Sequence, residues 1–133
     1  MLTVRLDSPI PLGEQVARGI RRSIAVGELR RGDPLPPVRQ LADDLGINFN
    51  TVARAYRELE RQGLVASMRG RGTVVVSTSQ APHEPGRITE ERLMAKVRDV
   101  LADARLAGLP RKSVERVISR EVARFWAQKG QSR

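Results

Sequence analysis

Between Pro37 and Gly63 the chain reads as two helices joined by almost nothing, and no other stretch limits the fold as tightly. A short helix is predicted from about Pro37 to Leu45, with Val38, Leu41, Ala42 and Leu45 facing inward. Gly46 stops it, as a glycine just past a helix end does. Ile47, Asn48 and Phe49 follow, and the next helix is expected over Thr51 to Gln62, capped by Asn50 and closed by Gly63. So tight a connection is the kind seen in helix-turn-helix units.

The flanking segments complete a pattern. Pro11 opens a helix running to about Val26, with Leu12, Val16, Ile20 and Ile24 on one face at a spacing of four. Ahead of it Thr3–Leu6 alternates like a short strand, and behind it GELRRGDPLPP reads as a turn-rich loop. Beyond Gly63, Leu64–Met68 and the β-branched run Thr73–Val76 flank the turn Arg69-Gly70-Arg71-Gly72, which makes a hairpin. Three helices followed by a hairpin is the order of a winged helix-turn-helix, an α+β fold.

Residues 77–88, STSQAPHEPGRI, contain two Pro, one Gly and no apolar periodicity, and read as a linker in which His83 is a solvated residue. We therefore divide the chain into a winged helix-turn-helix at 1–77, a linker at 78–88 and a C-terminal segment at 89–133. In that segment Thr89 caps a helix with Glu90 and Glu91 in its first turn, favourable against the helix dipole. Its apolar face is Leu93, Val97, Val100, Leu101 and Ala104. After the turn Gly108-Leu109-Pro110, a second helix gathers Val114, Val117, Ile118, Val122 and Phe125 on one side, with Trp126 beside them. Two helices cannot bury both stripes against each other alone. A second copy of the chain is the expected cover, because closed twofold dimers are the commonest assembly; folding back onto the winged helix is the alternative.

Composition narrows the function. With no Cys and one His in 133 residues, disulfides, thiolate metal sites and multi-His metal sites are excluded. No nucleophile–base set, paired carboxylates or phosphate loop suggests an enzyme, and no cofactor is expected. No apolar run is long enough to cross a bilayer, and MLTVRLDSPIP lacks a secretory core, so a cytoplasmic protein without membrane contact is expected. The net charge of +9 invites a nucleic-acid reading, yet 21 of the 24 basic residues are Arg, as a GC-rich coding bias alone would produce. The excess is also spread along the chain: residues 1–78 carry twelve basic and eight acidic groups, and residues 79–133 carry twelve and seven.

Placement says more than charge. At 100° per residue the third helix puts Val52, Ala55, Tyr56 and Leu59 on one side, and Asn50, Arg54, Arg57 and Arg61 on the other. Arg can bond guanine O6 and N7 with two hydrogen bonds, and Asn can do the same at adenine. Asn48 and Thr51 stand at the helix start, where free N–H groups favour phosphate. A charged outer face is also what any solvated helix shows, and Asn50 could be only the cap. In the hairpin turn Arg69 and Arg71 alternate with Gly70 and Gly72, and no acid occurs between Glu60 and Glu84. Such a turn can approach DNA closely, with Arg gripping a minor groove or its phosphates.

The stretch LPPVRQLADDLGINFNTVARAYRELERQGLV, followed by GRGTVVV, resembles the DNA-binding domain of GntR-type bacterial transcription regulators, over about residues 9–77. The resemblance implies that Arg39, in the LPxxR stretch, contacts the DNA backbone or a base. It places recognition-helix contacts on Asn48, Asn50 and Thr51, with Arg54 following, and wing contacts on Gly70 and Gly72, flanked by Arg69 and Arg71. Two positions depart from the pattern. Gly13 stands where an aromatic is common, which leaves that face of the first helix less well packed. Phe49 stands where Pro or a basic residue is frequent, and could instead touch a thymine methyl. The tail resembles that of the short YtrA-like branch, whose two C-terminal helices mainly dimerise. It leaves no room in one protomer for a ligand pocket of ~300 Å3, so a small-molecule effector would have to bind at the dimer seam or elsewhere. The expected protein is a homodimeric repressor that reads an inverted-repeat operator in double-stranded DNA. A non-specific architectural nucleic-acid binder and a protein–protein adaptor are its rivals.

Overall fold

Pro11 starts α1 (Leu12–Ala25), and Val16, Ala17, Ile20 and Ile24 form its buried stripe. α2 (Val38–Leu45) buries Leu41 and Ala42 and ends at Gly46, whose φ of 69° lets the chain turn sharply. There the Ile47 N–H donates to the Ala42 carbonyl at 3.0 Å. α3 (Phe49–Arg61) then crosses beneath both helices and buries Val52, Ala55, Tyr56 and Leu59. β1 (Val65–Met68) and β2 (Gly72–Val75) pair antiparallel, from Val65 opposite Val75 to Met68 opposite Gly72. The chain closes with α4 (Glu90–Leu106) and α5 (Arg111–Trp126). This computed structural model describes residues 2–79 and 88–127. Most of the linker, His83 included, and residues 128–133 therefore lie outside the described residues.

The core of the N-terminal unit is built where α1 and α2 meet α3, and Val16, Val52 and Leu59 are wholly enclosed. Tyr56 ties this core to the loop before α2: its hydroxyl donates to the Pro36 carbonyl at 2.6 Å. Burial pushes the phenol up from its usual value to about 12. The folded chain thus keeps a proton that the unfolded chain releases near pH 10, so this contribution to stability is present below pH 10 and is lost as pH rises toward 12. Tyr56 is the sole tyrosine, so phenolate absorbance reports it alone. The expected midpoint lies near pH 12; a midpoint near 10 would contradict the burial.

One expectation about the flanks needs correction, and another gains a role. Residues 3–6 form no strand, because no neighbouring backbone among the described residues pairs with them. The Gln15 side chain takes that place, accepting from the Arg5 N–H at 2.7 Å and donating to the Arg5 carbonyl at 2.9 Å. The loop between α1 and α2 is more than a string of turns. Gly32 N–H donates to the Val75 carbonyl, Val75 N–H to Asp33 and Leu35 N–H to Thr73, each at 2.8 Å. The segment therefore lies along β2 and covers its outer edge, and Leu35 enters the core.

The second unit comprises α4 and α5. Thr89 caps α4 as expected, its hydroxyl accepting from the Arg92 N–H at 3.2 Å. Neither helix has a buried residue. Among the described residues of this unit only Ala104, Ser113, Val114 and Phe125 reach half-burial. Leu93, Val97, Val100, Leu101, Val117, Ile118, Val122 and Trp126 are all exposed.

Candidate nucleic-acid interface

α3 begins two residues earlier than expected, and its cap is Asn48 rather than Asn50. Asn48 has extended backbone, and its Oδ1 accepts from the Asn50 N–H at 2.7 Å. The physical reason lies in the turn. Once Ile47 closes the Gly46 bend, the chain at Asn48 is already extended and aimed along α3, so the first side-chain oxygen available takes the cap. This frees Asn50, whose exposed amide stands on the first turn with no partner among the described residues. Asn48→Ala should lower stability by about 0.5–2 kcal/mol, read from the urea midpoint, while Asn50→Ala leaves stability unchanged. The reverse ranking would return the cap to Asn50.

Along the outer face of α3 the acids sort the arginines. Arg61 grips Glu58 through two hydrogen bonds, Nε to Oε2 at 2.9 Å and Nη2 to Oε1 at 2.5 Å. Those bonds and one from Gln62 hold the Glu58 carboxyl below its ordinary value. Glu60 faces the Ser67 N–H at 3.5 Å. Both acids flanking the stripe are thus turned away from Arg54 and Arg57, which are exposed and form no ion pair among the described residues. Arg61, grouped with them by helical angle, belongs instead to the pair at the C-terminal end of the helix.

At the other end of α3, Arg39 comes up from α2 and places its guanidinium carbon 5.7 Å from the centre of the exposed Phe49 ring. Arg39, Asn48, Phe49 and Asn50 thereby make one surface at the start of the helix. Thr51 is only half exposed there, and its methyl faces α1. A Cβ at Gly13 would stand 3.5 Å from the Thr51 Cγ2, an ordinary van der Waals contact, so this face of α1 has room for a methyl group against the start of α3.

In the wing, Gly70 and Gly72 both have positive φ, 78° and 72°, a conformation the turn itself demands. The pair of glycines is therefore explained by the hairpin alone and is no separate sign of DNA contact. The two wing arginines also differ. Arg71 Nη2 donates to the Gly32 carbonyl at 3.2 Å and ties the wing to the loop along β2. Arg69 is exposed with no partner among the described residues. Neither the Arg39–Phe49 contact nor the Arg71–Gly32 bond is foreseeable from spacing, since each joins residues ten or more positions apart.

The arrangement is a helix with an open positive end, two unpaired arginines along its outer face, and a basic wing beside it. Residues 12–75 match the family described as bacterial regulatory proteins, gntR family. The HTH-type transcriptional repressor YtrA of Bacillus subtilis is 33% identical over 109 residues, which span 82% of either chain. Among solved structures, YtrA from Sulfolobus acidocaldarius, a GntR-family transcription factor, is 34% identical with a TM-score of 0.56, covering 76% of this chain and 97% of that one. The AraR DNA-binding domain in complex with operator ORX1 is 29% identical with a TM-score of 0.52, covering 56% of this chain and 96% of that one. These relatives are regulators rather than enzymes, and they favour a regulator over an architectural binder or an adaptor. No helix among the described residues is long and apolar enough to cross a membrane. The chain belongs to the GntR family, in its short YtrA-like branch, and is a sequence-specific DNA-binding transcription regulator.

Proposed function

We propose that the protein is a homodimeric repressor, acting in the cytoplasm, that lays α3 of each chain into a major groove and reads an inverted repeat. The observation that carries this reading is the outer face of α3, where Asn50, Arg54 and Arg57 are exposed and the neighbouring acids are engaged elsewhere. A recognition helix enters the groove by its N-terminal part. Asn50 and Arg54 would therefore meet base edges, with Phe49 beside them. Asn48, Thr51 and Arg39 would hold the backbone around the helix start. Arg69, Gly70, Arg71 and Gly72 would follow the adjacent backbone or minor groove, with Arg69 the freer of the two cations.

The dimer rests on α4 and α5. Leu93, Val97, Val100 and Leu101 on one helix, and Val114, Ile118, Val122, Phe125 and Trp126 on the other, form apolar faces that one chain leaves largely exposed. Covering them with a second copy removes that surface from water at about 25 cal/mol per Å² of apolar area. It also yields the twofold symmetry that an inverted repeat requires. With no buried residue, α4 and α5 of one chain enclose no interior for a small-molecule effector, which would bind at the seam between chains or elsewhere.

Capture of genomic fragments by the purified chain at physiological salt tests the reading. Retained fragments should share an inverted repeat overlapping promoters, its own or a neighbour's, and be bound at least ~10³-fold more tightly than random duplex. Retained fragments no different in sequence from the input would favour architectural binding, and no retention would favour the adaptor.

A further inference from the structure

We propose that Phe49 is a positioning residue for Arg39: its ring holds the guanidinium at the mouth of α3, ready for DNA. The inference rests on this surface being the one that meets DNA. Arg39 has an obvious alternative partner in Asp43, four residues on along α2, a spacing at which opposite charges commonly pair. No ion pair joins them among the described residues. The guanidinium carbon instead sits 5.7 Å from the Phe49 ring centroid, within reach of the ring's negative face.

The chemistry suits a contact that waits for its ligand. An ion pair with Asp43 would use the N–H groups of Arg39 and cancel its charge. The ring does neither. It attracts the cation through its quadrupole and leaves all five N–H donors available for a phosphate or a guanine edge. A long side chain that would otherwise sample many rotamers is thereby confined before binding, and less freedom is lost on contact. Phe49 also explains how its position works without a cation of its own: it brings one over from α2.

Two measurements test the proposal. In the free protein, ring-current shielding should move the Arg39 side-chain proton resonances upfield, and Phe49→Leu should return them toward ordinary positions. No change would overturn the contact whether or not the chain binds DNA. The second is a double-mutant cycle of Phe49→Leu and Arg39→Ala, read by anisotropy on a duplex this chain enriches from a random pool. Phe49→Leu should weaken binding about two- to fivefold in the wild-type background and have no effect once Arg39 is alanine. Phe49→Tyr, which keeps an aromatic face, should bind like wild type. Equal losses in both backgrounds would mean that Phe49 touches a base by itself, and no loss in either would mean that the ring does nothing for binding; either result overturns the proposal. Failure of the wild-type chain to prefer any duplex would refute the DNA-reading surface, a separate outcome from these.

Discussion

Val122→Asp should break the proposed dimer into monomers that bind the operator about 10²–10⁴-fold more weakly. Val122 is 53% exposed on α5, so its aspartate variant disturbs its own chain less than the surface that a second chain is proposed to cover. A carboxylate placed in a desolvated apolar seam costs several kcal/mol. Loss of the dimer separates the two DNA readers, and the second half-site is then no longer bound at the high effective concentration that the first one provides. The same variant should lose helical circular dichroism, because a two-helix hairpin without buried residues is marginal alone. Sedimentation supplies the direct reading: one chain of 14.8 kDa instead of two. Phe125→Asp should act in the same direction, but Phe125 is half-buried within its unit, so its effect mixes hairpin stability with association. A Val122→Asp protein that still sediments as a dimer would refute the role assigned to these helices.

Arg54→Ala should weaken operator binding by about 1–3 kcal/mol in each half-site and relax the preference at one base position in each. The proposed twofold dimer would feel the loss twice, so the total comes to about 2–6 kcal/mol, since well-separated sites add. The size follows from the environment of Arg54. No acid among the described residues pairs with it, so no such pair has to be broken on binding. Arg69→Ala makes the contrast. A wing cation that grips phosphate should cost every sequence alike and reduce the salt dependence by about one counterion per chain. If Arg54→Ala weakened operator and random duplex equally, Arg54 would be a phosphate contact and base reading would fall to Asn50 and Arg57.

The helices and the hairpin were legible in the sequence because each is set by local rules: apolar residues at a spacing of four in α1, Gly46 after α2, and β-branched residues around a glycine turn. What escaped were choices between equivalent partners. Asn48 and Asn50 are both good caps, and only the path out of the Gly46 turn decides which one serves. Helical angle groups Arg61 with Arg54 and Arg57, whereas the three-residue spacing to Glu58 removes it. Residues 3–6 alternate like a strand, yet a strand needs a neighbour, and among the described residues a glutamine side chain takes that place. The GELRRGDPLPP loop has the composition of turns and the hydrogen bonds of a sheet edge, because its partner, β2, lies some forty residues away in the chain. For the candidate site, residue types and their face could be read in advance. Which cations remain unpaired could not, since that depends on contacts between elements.

Enriching bound sites from a random duplex pool with the wild-type chain tests the reading of DNA by a symmetric dimer most directly. The expected product is an inverted repeat whose half-site centres lie one helical turn, about 10 base pairs, or a multiple of it apart, with two chains on each duplex. A pool that stays random through successive rounds, or one that converges on a single unsymmetrical site carrying one chain, would contradict it.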